Sequence, residues 1–153
     1  MTQPYRFVLD TNAVIDWLVF EHPYLDSFRD RVRSRDVLVL TNALAVKELA
    51  RVLGYPMLKP SEARRADVLA RYASLTTQAQ MPEGFAAEAL SLPPGFPHCR
   101  DRDDDAFLAL TFHSQATALV TRDNALLKLQ KRTRKFGVAI VDIPGMMELL
   151  GLV

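Results

Sequence analysis

Positions 101–105 read DRDDD, which packs four of the chain's 12 aspartates into five residues. Three further acids stand behind or just beyond short apolar runs: Asp10 after RFVL (6–9), Glu48 in the stretch following VLVL (37–40), and Asp123 after ALVT (118–121). No histidine or cysteine follows the spacing of a zinc site. Carboxylates without nitrogen or sulfur partners suit a hard cation, Mg²⁺ or Mn²⁺. Gathered together they repel and raise each other's pKa unless a cation compensates. Each acid also has a purely structural explanation. Asp after a strand is an ordinary helix cap, stabilising by ~1 kcal/mol, and acids in a first helical turn suit the helix dipole. Glu48 could equally pair with Arg51, three positions on along a helix. Convergence of all four at one edge of a sheet is what favours a metal site.

Local patterns indicate the elements that must position these acids. RFVL stops at the cap-type residues Asp10, Thr11 and Asn12, and the apolar stretch Val14 to Phe20 follows, which predicts strand, cap and buried helix. His22-Pro23 breaks that helix. Leu25, Phe28 and Val32 then recur at helical spacing, with Asp26, Arg29, Asp30 and Arg33 outside. VLVL reads as a strand of a parallel sheet covered on both faces. Thr41-Asn42 caps a helix that turns Val46, Leu49 and Leu53 inward and ends at Gly54. Ser61 to Thr76 is predicted helical, with Val68, Leu69, Tyr72 and Leu75 on one face. Residues 82–99 hold four of the nine prolines and are expected to form a loop with a short helix near Phe85–Leu90. Residues 104–115 are predicted helical, ALVT a strand, 126–136 a basic helix, GVAIV (137–141) a last strand and Ile143–Leu150 a last helix.

This alternation predicts an α/β fold with a parallel sheet and right-handed crossovers, and one domain over residues 1–153. In such sheets ligands bind beyond the carboxyl ends of the strands, near the switch in strand order. There Asp10, Glu48, Asp123 and at least one of Asp101, Asp103, Asp104 or Asp105 are expected to meet.

Composition bounds the rest. Hydrophobic residues make up 49% and charged residues 24%, the balance of a globular protein with no need of a metal or disulfide to fold. The longest apolar runs fall far short of the ~20 residues of a membrane span. No basic region with a long apolar stretch opens the chain, and the single cysteine, Cys99, excludes an internal disulfide; a cytoplasmic protein is expected. Net charge is +1, yet KLQKRTRK (128–135) concentrates five of the 19 basic residues. Those lysines and arginines form either a solvated outer face or a track for a phosphate backbone. Cys99 lies beside His98 with no orienting acid apparent, so a nucleophilic cysteine is not expected.

The blocks FVLDTNAVI (7–15), NALAVKELARVL (42–53), PHCRDRDDDAFLAL (97–110) and ALVTRDNALL (118–127), in this order and spacing, resemble the PIN domain. More narrowly they resemble its bacterial subfamily of toxins from toxin–antitoxin pairs. The resemblance spans about residues 6 to 142. It implies a three-layer α/β/α fold and a Mg²⁺- or Mn²⁺-dependent ribonuclease that cuts single-stranded RNA. The family's acids fall on Asp10, Glu48, Asp104 and Asp123, as metal ligands and catalytic residues. Thr11, Asn12 and Thr121 match the polar positions that flank those acids, and Arg122, Lys128 and Lys131 are the expected RNA contacts. Relatives often carry one more acid, where this chain has Ala125. The resemblance also implies a homodimer inhibited by a small antitoxin.

The run of aspartates leaves the third acid open between Asp104 and Asp105. On a helix Asp104 shares a face with Phe107, Leu108 and Phe112, whereas the face of Asp105 runs through Leu108, Ala109 and His113. The larger stripe should pack on the sheet, which favours Asp104; Asp101 and Asp103 would precede the helix. Other readings are a PIN nuclease of RNA processing, a receiver-like or phosphatase α/β domain, and a non-catalytic binding domain whose acids only cap helices.

Overall fold

The computed structural model describes residues 3–55, 61–80, 91–99 and 104–152. Five strands form one sheet in the order β3-β2-β1-β4-β5: β1 (Tyr5–Leu9), β2 (Val37–Thr41), β3 (Thr76–Gln78), β4 (Ala118–Val120) and β5 (Ile140–Val141). Every pairing is parallel. The chain builds outward from β1 through β2 to β3, then returns to the other side of β1 for β4 and β5. The switch in strand order therefore falls between β1 and β4.

Side chains alternate across the sheet with the strand period of two. Phe7, Leu9, Val37, Val39, Ala118 and Val120 face one side. There they meet α1 (Thr11–Leu18), α2 (Asp26–Arg33), α3 (Ala43–Leu53), α4 (Glu62–Leu75) and α8 (Ile143–Leu149). Val8, Leu40, Leu119 and Ile140 face the other side, against α5 (Asp105–Ser114), α6 (Asn124–Leu127) and the chain following it. Two cores on either side of one parallel sheet make the expected three-layer α/β/α architecture. Leu9 and Val8, one residue apart, thus belong to different cores.

Several boundaries differ from the sequence reading. The helix from Ser61 ends at Leu75, and residues 76–78 form the edge strand β3, paired with β2 through Val39 and Thr76. TTQ is polar and short, so it carried no strand periodicity. The last strand is two residues, not five. The expected basic helix over 126–136 is instead α6, α7 (Gln130–Thr133) and a 3₁₀ turn at Arg134–Phe136. Thr133 closes the end of α7: its buried hydroxyl donates to the Val138 carbonyl at 2.9 Å, and the Val138 N–H returns to the Thr133 carbonyl at 3.2 Å. Gly137, at φ 81°, takes the left-handed turn this requires. The helix expected near Phe85–Leu90 lies outside the described residues, as do Asp101 and Asp103.

Candidate active site

β1 and β4 end side by side, with Leu9 opposite Val120, and the Asp10 N–H donates to the Val120 carbonyl at 3.0 Å. The residue after β1 therefore meets the residues after β4 at the switch point. Asp10 is 4% exposed, and both its oxygens are engaged. Oδ1 accepts the Ala13 N–H at 3.0 Å and so caps α1, while Oδ2 accepts the Thr121 hydroxyl. Thr121, fully buried, in turn accepts the Asp123 N–H at 2.9 Å. One hydroxyl ties two acids together. Asp123 caps α6 through the Ala125 N–H at 2.8 Å. Burial raises the Asp10 carboxyl from 3.8 to about 6; the Thr121 and Ala13 hydrogen bonds oppose that rise, the Asp123 charge adds to it, and Arg122 opposes it.

Asp10, Glu48, Asp104 and Asp123 all line one cavity of about 460 Å³, together with Thr11, Asn12 and Arg122. Glu48 reaches it from the middle of α3, whose N-cap is Asn42. A forked ion pair holds Glu48 to Arg51, with Oε1–Nη2 at 2.5 Å and Oε2–Nε at 3.0 Å. The two readings of Glu48, cavity acid and partner of Arg51, thus hold at once.

Asp104 and Asp105 part at the start of α5. Asp104 is its N-cap residue but makes no side-chain cap hydrogen bond, and its carboxylate lines the cavity. Asp105 does not line it. Its Oδ1 accepts the Cys99 N–H and its Oδ2 meets His98 Nδ1, both at 3.0 Å, which pins the Pro-rich loop to α5. The apolar stripe expected to set Asp104 apart is not what α5 shows: Phe107, Leu108, Ala109, Leu110 and Thr111 are all buried and Phe112 only partly, so α5 has no single apolar stripe. The 98–99 loop separates the two acids instead. His98 also has an orienting acid after all, in Asp105. The thiol of Cys99, however, is buried and lies 3.7 Å from Asp104 Oδ2, beside a carboxylate that disfavours a thiolate.

The cavity suits a hard cation by the chemistry of its donors, four carboxylates with no nitrogen or sulfur ligand. Thr11 adds a buried hydroxyl oxygen that finds no hydrogen-bond partner among the described residues. As the side chains stand, no three His, Cys, Asp or Glu among the described residues are close enough to hold an ion between them. Glu48 is turned to Arg51, and Asp10 and Asp123 spend oxygens on caps. Carboxylate oxygens have two lone pairs each, so a cap bond leaves capacity for a cation.

One participant escaped the sequence reading. Asp16, within the apolar run that forms α1, is 3% exposed and ion-paired to Arg122 Nη1 at 3.3 Å, with His22 Nε2 3.7 Å from the same oxygen. It fixes Arg122 at the rim of the cavity. The signal was an aspartate inside AVIDWLVF, which needs a cation when buried; that cation is 106 residues away. Lys128 and Lys131 are exposed and do not line the cavity.

Comparison with known proteins bears on this arrangement. The family model of the PIN domain matches residues 6–125, which include all four acids of the cavity. A search of curated proteins finds no match.

Proposed function

The chain belongs to the PIN-domain family, and on that footing we propose that it is a Mg²⁺- or Mn²⁺-dependent endoribonuclease that cleaves single-stranded RNA as the toxin of a toxin–antitoxin pair. PIN domains are generally nucleases and typically use divalent metals. The observation that carries the reading is the convergence of Asp10, Glu48, Asp104 and Asp123 on one cavity at the switch point of the sheet.

In this reading Asp10 is the central ligand, with Asp104 and Asp123 completing the oxygen set. The chemistry supplied by a divalent cation held there would be neutralisation of charge developing on the scissile phosphate and a lowered pKa of bound water. Glu48 would either leave Arg51 to help hold the ion or orient the attacking water. Thr121 holds Asp10 and Asp123 at fixed separation, Thr11 offers a buried hydroxyl beside Asp10, and Asn12 donates to water or substrate oxygens at the rim. Arg122, held by Asp16, binds a phosphate oxygen adjacent to the cut, and Lys128 and Lys131 follow the backbone farther out. Water that has lost a proton in this site would attack phosphorus in line as the P–O3′ bond breaks, and the leaving O3′ oxyanion would take a proton from solvent, which leaves a 5′-phosphate and a 3′-hydroxyl.

The partners in this proposal are a second copy of the chain and a small antitoxin, in the cytoplasm. No helix among the described residues is long and apolar enough to cross a membrane. The test is incubation with end-labelled single-stranded RNA. Internal cuts with 5′-phosphate ends that EDTA stops and Mn²⁺ restores are expected; cuts at full rate in excess EDTA would overturn the metal mechanism. Growth arrest on expression, relieved by the product of a short neighbouring reading frame, is expected of a toxin. A harmless protein with the same nuclease activity would belong to RNA processing instead.

A further inference from the structure

Phe20, His22 and Tyr24 follow α1 at alternate positions, and the two large apolar rings are 51% and 55% exposed. The rings form a contiguous strip. Phe20 and His22 lie with centroids 5.9 Å apart, and His22 and Tyr24 stack at 5.3 Å with planes 15° apart. Glu21, between the first two, holds a left-handed φ of 50°, a conformation a glutamate rarely adopts. Such strain persists only where the surroundings dictate it.

Here they do. Three guanidinium groups bind carbonyls of this segment: Arg29 those of Trp17 and His22, Arg64 that of Val19, and Arg71 that of Leu18. Arg71 also pairs with Glu21 at 2.8 Å. The turn is therefore tied at four of its carbonyls, while about half of each large ring stays exposed. Phe20 lines the carboxylate cavity, while His22 and Tyr24 line a neighbouring one of about 310 Å³. Arg122 lines both. An exposed aromatic path, tilted by 48° between Phe20 and His22 and stacked from His22 to Tyr24, thus leaves the candidate active site past a cation.

We propose that this strip is the platform on which bases of the RNA strand next to the scissile phosphate unstack and lie, Phe20 nearest the cut and Tyr24 farther out, with Arg122 taking the intervening phosphate. Aromatic rings beside a backbone cation are the general means of holding a single strand without reading its sequence, since every base presents a π-face. The arrangement would select single strands, whose bases are free to splay, over duplex. The proposal rests on the nuclease reading and adds to it the direction in which substrate leaves the cavity.

The experiment measures binding, not cleavage. Fluorescence anisotropy of a ten-nucleotide oligoadenylate RNA and of an abasic strand of the same length is recorded at low salt in EDTA, with melting temperatures checked for every variant. The wild-type protein is expected to prefer the adenylate strand. Phe20→Ala and Tyr24→Ala should each weaken that strand roughly 5- to 100-fold, the range of one lost stack, and leave abasic binding nearly as it was. Tyr24→Trp should restore the preference. Equal affinity for the two strands, no measurable RNA binding, or alanine variants that bind like the wild type would each overturn the proposal. So would a self-association lost in Tyr24→Ala with RNA binding intact, which would make the strip a protein face. Failure of the nuclease reading would appear separately, as a protein whose strand binding depends on Tyr24 but whose stability ignores Mn²⁺.

Discussion

Asp10 Oδ1 closes the first turn of α1 and Oδ2 takes the Thr121 hydroxyl, yet the carboxyl is still raised to about 6 because so little of it touches water. Between about 3.8 and 6 the folded protein then binds the proton that the unfolded chain releases. The associated stability is fully present below about 3.8 and lost as pH rises through about 6. The loss amounts to about 3 kcal/mol at neutral pH. In EDTA, Asp10→Asn should accordingly be more stable than the wild type near pH 7, and the difference should shrink to nothing near pH 4. Denaturant melts at several pH values would show it, and a pH-independent difference would contradict it. The same proton competes with a cation, so stabilisation by Mn²⁺ should fade as pH drops below about 6. Asp105 belongs to a different structure. Asp105→Ala leaves the Cys99 N–H without its acceptor and should cost about 1–3 kcal/mol in thermal or denaturant unfolding. Asp105→Asn, which keeps an acceptor oxygen, should retain most of any cleavage activity.

Among the elements, β1, β2 and β4 position the acids and were legible as short apolar runs followed by cap residues: Asp10, Asn42 and Asp123 each accept a helix N–H. The candidate site was readable for the same reason, because in a parallel sheet the residues after the strands share one edge. What was hidden was hidden by polarity or by distance. TTQ gave β3 no apolar alternation, and Thr133 closes the end of α7 through a contact to Val138 that no helical period displays. Asp104 lines the cavity and Asp105 does not, for a reason the helix pattern did not contain: the loop at 98–99 engages Asp105. Asp16 was lost in an apolar run because its partner, Arg122, follows β4. The link between β1 and β4 also makes a prediction. Thr121→Val removes the hydroxyl that joins Asp10 to Asp123 while keeping the shape of the residue. It should lower cleavage roughly 10- to 100-fold, the usual cost of losing a partner behind a metal ligand. Activity equal to the wild type would mean that the acids position themselves.

At the scale of the molecule, two hydrophobic cores fix the sheet from both sides, so the carboxylate edge is held by packing and not by the charges themselves. The metal-free fold should therefore tolerate neutralised acids, and a bound ion should add stability by mass action. With Mn²⁺ about 100-fold above its Kd the gain is about 2.7 kcal/mol, several degrees in Tm for a chain of this size. An unchanged Tm at millimolar Mn²⁺ would leave Asp10 and Asp123 as helix caps and Glu48 as the partner of Arg51. The most direct test of the central claim is the initial rate of single-stranded RNA cleavage in Mn²⁺ by the wild type and by Asp104→Asn, which removes a cavity carboxylate that caps no helix. The expected result is a rate reduced by more than the ~100-fold cost of losing an outer partner, in a variant that melts no lower than the wild type in EDTA. An Asp104→Asn protein that still cleaves at the wild-type rate would contradict the assignment of this cavity as the catalytic metal site.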